Sequence, residues 1–94
     1  MAAYIIASID VTDPDDYATY AAQTVALAEA AGGRFLVKGG TQEQLEGASP
    51  SRHVVIEFPT RAAAKAWFNS DAYQAILPIA LRASNRNIVI VDGI

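Results

Sequence analysis

The sequence contains no cysteine and only one histidine, His53. Without cysteine there is no disulfide framework, no thiolate nucleophile and no sulfur ligand for a metal. A single histidine cannot build a histidine-rich metal site, and Asp13, Asp15 and Asp16 match the start of a helix better than a calcium loop. We therefore expect no metal ion and no cofactor, and a chain without cysteine fits the reducing cytoplasm.

An excess of positive charge is also missing. The chain has 7 Lys and Arg residues against 10 Asp and Glu residues, which gives a net charge of −3 with histidine neutral. Nucleic acids and anionic membranes are bound by clustered basic residues, and here these residues are spread along the chain, so neither is an expected partner. The first apolar run reaches Asp10 after few residues, which is too short to cross a bilayer and indicates a strand.

Apolar residues, in contrast, are abundant: 52% of the 94 residues are hydrophobic and 18% are charged. This length and composition predict one globular domain that spans residues 1–94. A domain of this size leaves much of its surface exposed, so we expect part of its apolar surface to be covered by a second copy of the chain. The prediction is a homodimer.

Local patterns predict the element order β-α-β-β-α-β. The predicted strands are 4–9, 34–38, 53–58 and 87–94, and the predicted helices are 14–31 and 61–70. A shorter helical stretch follows around Tyr73, which Pro78 is expected to bend or break. Gly39 and Gly40 are expected to form a bulge, after which residues 41–45 resume the second strand. This order is typical of the ferredoxin-like α+β fold, a four-stranded antiparallel sheet with its helices on one face.

Alternation along the predicted strands separates the two faces of the sheet. One set of positions is purely apolar and is expected to lie under the helices. The other set is mixed and is expected on the open face, where it brings together Tyr4, Ser8, Asp10, Arg34, Lys38, His53 and Glu57. If two sheets meet at this face, these side chains line the space that the dimer encloses.

Two interpretations of the mixed face stay open. Glu57 can pair with Arg34 or Lys38 in a satisfied network that fixes the dimer. Alternatively, His53 and Glu57 are catalytic residues that move protons in a cavity, while Arg34 and Lys38 bind an anionic ligand. A slip of one residue at the glycine bulge would move Lys38 to the other face.

A second possible site lies between the helices and the sheet, where small alanine side chains can leave room for a pocket. Tyr17, Tyr20, Trp67 and Tyr73 lie at helical spacing. Such residues are more typical of a core, but a tyrosine hydroxyl can also reach a cavity. We include Tyr17, Trp67 and Tyr73 as candidate ligand-binding residues.

Several segments taken together resemble a known bacterial family. They are "VTDPDDYATYAAQ", "GGRFLVKGG", "LEG", "HVVIEFPT", "AAKAWFNSDAYQ" and "IVIVDG". In this order they resemble the domain of unknown function family 1330 over nearly the whole chain. The resemblance implies the dimeric α/β-barrel superfamily, in which two ferredoxin-like sheets pack face to face. The positions that match the family pattern are Arg34, Gly40, Glu57, Phe58, Trp67, Ser70 and Tyr73.

The resemblance implies a fold but no reaction, because this superfamily includes cofactor-independent quinone-forming monooxygenases, lactone isomerases and haem-binding enzymes. Our first hypothesis is a homodimer that binds a small anionic or oxygen-rich molecule in a polar-rimmed cavity. The second is an enzyme of the cofactor-independent oxygenase or isomerase type, with Glu57 or His53 as its base. The third is a structural or stress-response dimer without a ligand. Whether the chain is an enzyme stays open.

Overall fold

The computed structural model describes residues 1–94 and contains four strands and three helices. The strands are β1 (Ala3–Val11), β2 (Arg34–Lys38), β3 (Arg52–Phe58) and β4 (Ser84–Asp92), and the helices are α1 (Pro14–Ala30), α2 (Arg61–Phe68) and α3 (Asp71–Ala83). The strands form one antiparallel sheet in the order β2-β3-β1-β4, and the helices pack on one of its faces. The predicted ferredoxin-like α+β fold is confirmed.

Each helix begins at a residue that caps it. The side chains of Asp13, Thr60 and Ser70 each accept a hydrogen bond from the backbone N–H three residues later, at 3.2, 3.0 and 3.2 Å. The helical stretch predicted around Tyr73 forms a separate helix, because Ser70 caps it directly after α2 ends. That helix, α3, continues through Pro78 for a further turn and a half.

The core lies between the helices and the strand positions that were predicted to be apolar. Its strand residues include Ile5, Ala7, Ile9, Val54, Ile56 and Phe58, all of them buried. Helical aromatic rings cover them: the ring centroid of Trp67 lies 5.6 Å from that of Phe58 and 4.4 Å from that of Tyr73. Aromatic contacts of this kind account for much of the burial in a small core.

The first glycine pair connects α1 to β2, as predicted. Gly32 has φ +88°, a left-handed conformation that glycine adopts without strain. At Gly33 a Cβ atom would come within 2.6 Å of the Phe58 ring. The absence of side chains at this pair therefore lets the chain turn and lets the start of β2 pack directly on the core.

The prediction for the end of β2 was wrong in two respects. The bulge lies within the strand, between Phe35 and Val37, and not at Gly39 and Gly40. Residues 41–45 form no strand, because Gly39 turns the chain away with φ +68°. Because the bulge adds one residue, Lys38 pairs with Val54 and lies on the helix-covered face, and the prediction that it shares a face with Arg34 was also wrong.

The last strand begins three residues earlier than predicted. β4 starts at Ser84, directly after α3, and pairs with β1 over nine positions. Asn85, Arg86 and Asn87 have little intrinsic preference for strands, but the pairing with β1 outweighs that preference. As a result Arg86 lies on the same face as the core residues Ile88 and Ile90.

The open face of the sheet carries an apolar row between two polar ones. In that row Val37, Val55, Ile6 and Val89 are neighbours across the four strands. Three of them, Val37, Ile6 and Val89, are exposed by 37% or more, so this row presents β-branched side chains to solvent in a single chain. The polar rows on either side contain Arg34 with Glu57, and His53 with Ser8.

Candidate functional site

A cavity opens between α1 and the helix-covered face of the sheet. Its walls are mostly apolar and include Ile5, Ala7, Ile9, Val54, Ile56 and Ile88. The cavity volume is ≈ 20 Å³, which is room for about one water molecule. A ligand larger than water would therefore have to displace side chains at its mouth, where Lys38 is exposed.

Three basic side chains line this cavity: Lys38, Arg52 and Arg86. None of the residues that line it is acidic. Arg52 and Arg86 both pair with Ile9, one from each side of β1, so they lie in the same row of the sheet, roughly 10 Å apart at the backbone. The cavity is therefore positively charged although the whole chain is negative.

The same three cations have aromatic rings as neighbours in place of carboxylates. Lys38 Nζ lies 5.6 Å from the ring centroid of Phe35, and the guanidinium groups of Arg52 and Arg86 lie 5.8 and 5.4 Å from those of Tyr17 and Tyr20. The carboxylates that form salt bridges bind other cations, namely Arg34, Arg61 and Arg82. A cation over a ring keeps its charge available to an incoming anion.

Arg86 also belongs to a buried hydrogen-bond cluster. Its two terminal nitrogens donate to the hydroxyl oxygens of Tyr20 and Tyr73, at 3.0 and 2.9 Å, and the two hydroxyls lie 2.7 Å apart. Burial, reinforced by the neighbouring Tyr73, raises the pKa of Tyr20 well above its ordinary value. Tyr20 is therefore a neutral hydrogen-bonding group at neutral pH.

Tyr17 lies next to this cluster and lines the cavity. Its ring centroid lies 5.3 Å from that of Tyr20. Burial raises the pKa of Tyr17, and the positive charges of Arg52 and Arg86 reduce this increase. Its phenol thus stays protonated at neutral pH as well.

Two buried side-chain atoms have no hydrogen-bond partner in the protein, and both are N–H donors. They are Nε of Arg52 and Nε1 of Trp67, and both residues line the cavity. Trp67 is 2% exposed, so water outside the protein does not replace the missing partner. A buried donor left without an acceptor costs roughly 1 to 3 kcal/mol. The cavity therefore has a surplus of donors over acceptors.

The predicted catalytic residues Glu57 and His53 lie on the opposite, open face. Glu57 accepts one hydrogen bond from the hydroxyl of Tyr4 at 3.1 Å and one from Arg34 at 3.0 Å. The hydrogen bond to Glu57 also raises the pKa of Tyr4. His53 Nδ1 lies 2.7 Å from Oε1 of Gln42, which is in the loop that joins β2 to β3. These contacts match the satisfied network of the first interpretation.

The candidate residues are thus divided between the two faces. Lys38, Tyr17 and Trp67 line the cavity, and Tyr73, which is fully buried, touches it through Tyr20. The other candidates, Arg34, His53 and Glu57, form the open-face network described above. The second possible site of the sequence analysis is where most of the ligand-binding candidates meet.

Sequence reasoning missed Arg52 and Arg86, and it left Tyr20 out of the candidate ligand-binding residues. Arg52 was placed before the third strand and Arg86 before the fourth, so neither was assigned to a face. Arg52 lies two residues before Val54, and Arg86 lies two residues before Ile88, so alternation assigns each arginine to the same sheet face as that residue. Extending the alternation of each strand by one or two residues would have placed both arginines under the helices.

A second groove of ≈ 190 Å³ lies beside α2 and the edge strand β4. Its walls include Phe68, Ile88 and Ile90, with Lys65 and Asn69 at its rim. The polar groups there are few, and neither arginine of the first cavity reaches it.

No three metal-ligating side chains come together anywhere in the molecule. None of the helices has the length and apolar character that a bilayer crossing requires.

The sequence model of the family Domain of unknown function (DUF1330) matches residues 2–94. The chain belongs to this family. The resemblance that the sequence segments suggested is therefore confirmed over almost the full length of the domain. None of the curated proteins matches the chain.

Solved structures show the same fold at low sequence identity. The RPA0582 protein of unknown function from Rhodopseudomonas palustris superposes with a TM-score of 0.79 at 14% identity, covering 99% of this chain and 82% of that one. SnoaB, a cofactor-independent oxygenase from Streptomyces nogalater, has a TM-score of 0.71 at 13% identity, covering 99% and 93%. HapK from Hahella chejuensis has a TM-score of 0.67 at 19% identity, covering 98% and 92%. At these identities the similarity establishes the fold that this DUF1330 domain shares with them.

Proposed function

We propose that this domain binds a small anion with an apolar body in the cavity between α1 and the sheet. The proposal rests on two observations: Lys38, Arg52 and Arg86 line the cavity without a carboxylate, and the N–H donors Nε of Arg52 and Nε1 of Trp67 are unpaired. A carboxylate or phenolate oxygen would supply the missing acceptor, and the apolar walls would cover a ring once the side chains at the mouth of the cavity are displaced. This moves the expected polar-rimmed cavity from the open face to the covered face.

Isothermal titration calorimetry with benzoate and its neutral analogue benzyl alcohol tests the proposal. We expect the wild-type protein to bind benzoate at least about tenfold more tightly, because a hydrogen bond to a charged group contributes roughly 1.5 to 3 kcal/mol. Arg52→Gln should remove most of this preference. Arg61→Gln is the matched control, because Arg61 forms an exposed salt bridge with Asp92 outside the cavity.

Two results would contradict the proposal. One is equal affinity of the wild-type protein for the two compounds, or no binding of either. The other is a loss of benzoate binding in Arg34→Gln that equals the loss in Arg52→Gln. That second result would return the anion site to the open face, where Arg34 bonds to Glu57.

A second candidate function is cofactor-independent oxidation of a phenol. It is favoured by the hydroxyl of Tyr20, which is backed by Arg86 at an apolar cavity, and by the shared fold with the oxygenase SnoaB. In such a reaction a ring C–H of the phenol becomes a carbonyl, one atom of O₂ enters the ring, and the other leaves as water with the two hydrogens. Dioxygen supplies the four oxidising equivalents, so no further oxidant is needed.

Oxygen uptake with 1-naphthol, together with detection of 1,4-naphthoquinone, tests this second function. Turnover that disappears in Arg86→Met but persists in Arg61→Gln supports it. The assignment of Glu57 and His53 as catalytic residues stays a prediction: if Glu57 is the base, Glu57→Gln should abolish turnover and leave the fold intact. Oxygen consumption at the buffer rate would leave the domain as a binding module.

The open face supports a separate proposal, the homodimer. Its central apolar row of Val37, Val55, Ile6 and Val89 is exposed in a single chain, and a second sheet packed on it would remove that surface from water. Each valine or isoleucine so buried would contribute on the order of 1 kcal/mol. A cytoplasmic location is part of the same proposal and rests on the absence of cysteine.

A further inference from the structure

The hydroxyl protons of Tyr20 and Tyr73 can be assigned by counting donors and acceptors in their cluster. Arg86 donates to both phenol oxygens, so neither oxygen needs to accept from elsewhere to be satisfied. The two phenols hold two protons, and only one of these lies in the hydrogen bond between the two oxygens. The other hydroxyl proton therefore has no acceptor within the cluster and must point away from it.

The burial of the two tyrosines decides which proton that is. Tyr73 is 0% exposed and is not among the residues that line the cavity. Its hydroxyl has no hydrogen-bond partner beyond Tyr20 and Arg86. If its proton were the free one, a buried O–H donor would be left unpaired at a cost of roughly 1 to 3 kcal/mol. Tyr20, in contrast, lines the cavity. The lower-energy arrangement has Tyr73 donating to Tyr20.

We propose that the hydroxyl of Tyr20 donates its free proton to the anionic oxygen of the bound ligand, while Tyr73 and Arg86 act as positioning residues behind it. This inference rests on the proposed anion site and names the group that meets the ligand oxygen. Two hydrogen bonds donated into the Tyr20 oxygen polarise its own O–H and make it a stronger donor. Arg86 is held to both phenols and acts on the ligand through Tyr20.

The arrangement also defines the class of ligand. A single strong O–H donor, with the cations Lys38 and Arg52 at the same cavity and apolar walls around them, suits a compact oxyanion on a flat ring. Phenolates and aromatic carboxylates have this form. Phosphate monoesters fit less well, because a doubly charged group with three oxygens is costly to bury between mostly apolar walls.

The test uses 4-nitrophenol, whose ionised form absorbs visible light, so that the pKa of the bound probe is read directly by titration. The wild-type protein should bind the phenolate and lower the apparent pKa of the probe. Tyr20→Phe should weaken phenolate binding by roughly 10- to 100-fold and remove most of this pKa change. Tyr73→Phe should lose only a few fold, because Tyr20 keeps both its proton and its bond from Arg86. Tyr4→Phe, on the open face, is the matched control.

The outcomes separate this inference from the proposed function. If the wild-type protein binds neither the phenolate nor benzoate, the anion site itself is refuted. If the wild-type protein binds but Tyr73→Phe loses as much as or more than Tyr20→Phe, the site stands and the assignment of the donor is wrong. A change in thermal stability without a change in the pKa of the bound probe would assign Tyr20 a structural role and overturn the inference.

Discussion

The two faces of this sheet differ in whether their charged side chains are paired with a carboxylate. On the open face, Arg34 binds Glu57, which also accepts a hydrogen bond from Tyr4, so charge and donor are both satisfied within the protein. On the covered face, Arg52 and Arg86 lie over tyrosine rings, and no carboxylate lines their cavity. The apolar row of the open face is exposed to solvent, which suits contact with a second copy of the chain. The cavity on the covered face has N–H donors without acceptors, which suits binding of an anion.

The largest expected difference between the faces is in packing. Phe58→Ala removes a ring that is 0% exposed and should lower the free energy of unfolding by about 3 to 5 kcal/mol. Val89→Ala removes a side chain that is 52% exposed, and in a dilute single chain it should cost less than about 1 kcal/mol. Urea denaturation at low protein concentration measures both. Similar losses for the two variants would show that the open face is already buried under those conditions.

Dimer formation is the next test of the comparison. Ile6→Lys places a charge between Val55 and Val89 in the apolar row of the open face. It should raise the dimer dissociation constant by roughly 100-fold or more, because burying a charge among apolar side chains is costly. Light scattering coupled to size-exclusion chromatography measures the change. Gln23→Lys, which adds the same charge at an exposed position of α1 on the other side of the sheet, is the control. A wild-type chain that is monomeric at micromolar concentration would refute the dimer.

Replacing one arginine on each face compares how much each of them contributes to the free energy of unfolding. Arg86→Met removes two hydrogen bonds to buried phenol oxygens and should lower the free energy of unfolding by roughly 1 to 3 kcal/mol. Arg34→Met removes a salt bridge whose arginine side chain is 72% exposed and should change it by less than about 1 kcal/mol. Chemical denaturation of both variants measures these changes in the free energy of unfolding. Equal effects would mean that the buried cluster contributes no more to stability than a surface pair.

The smallest expected effect concerns the tyrosine hydroxyls. The pKa values of Tyr4 and Tyr20 are both raised, Tyr4 mainly by its hydrogen bond to Glu57 and Tyr20 mainly by burial. Because an unfolded tyrosine titrates near pH 10, the folded state holds these protons more tightly, and stability is full below about pH 10 and falls as the pH rises beyond it. Glu57→Gln should bring the pKa of Tyr4 down towards its ordinary value and leave that of Tyr20 unchanged.

Carbon-13 NMR of labelled tyrosine measures the two titrations separately. If Glu57→Gln also lowers the pKa of Tyr20, the two faces are coupled through the sheet, and their treatment as separate sites is wrong.

The fold could be predicted from the sequence because each of its elements is specified locally. Asp13, Thr60 and Ser70 cap the helices, and strict alternation places Ile5, Ala7 and Ile9 under them. The pattern of a strand also predicts which face is open. These signals need only neighbours in the sequence, and they agree with one another along the chain.

The site was predicted less well because two of its features depend on pairing between distant strands. The bulge that moves Lys38 to the covered face is visible only in the register of β2 against β3. Arg86 enters a strand only because β1 pairs with the polar residues before Ile88. Local propensity favours a loop there. The surplus of donors is likewise a property of the assembled cavity, since each arginine alone could have met a carboxylate.

The most direct measurement of the central claim follows the indole N–H of Trp67 by two-dimensional NMR. Trp67 is the only tryptophan, so it gives one indole signal, and its Nε1 is one of the two buried donors without a partner. On titration with benzoate we expect this signal to move downfield and its exchange with water to slow, while benzyl alcohol at the same concentration leaves it in place. An unchanged indole signal, with shifts confined to the backbone amides of Arg34 and Glu57, would contradict an anion site on the covered face.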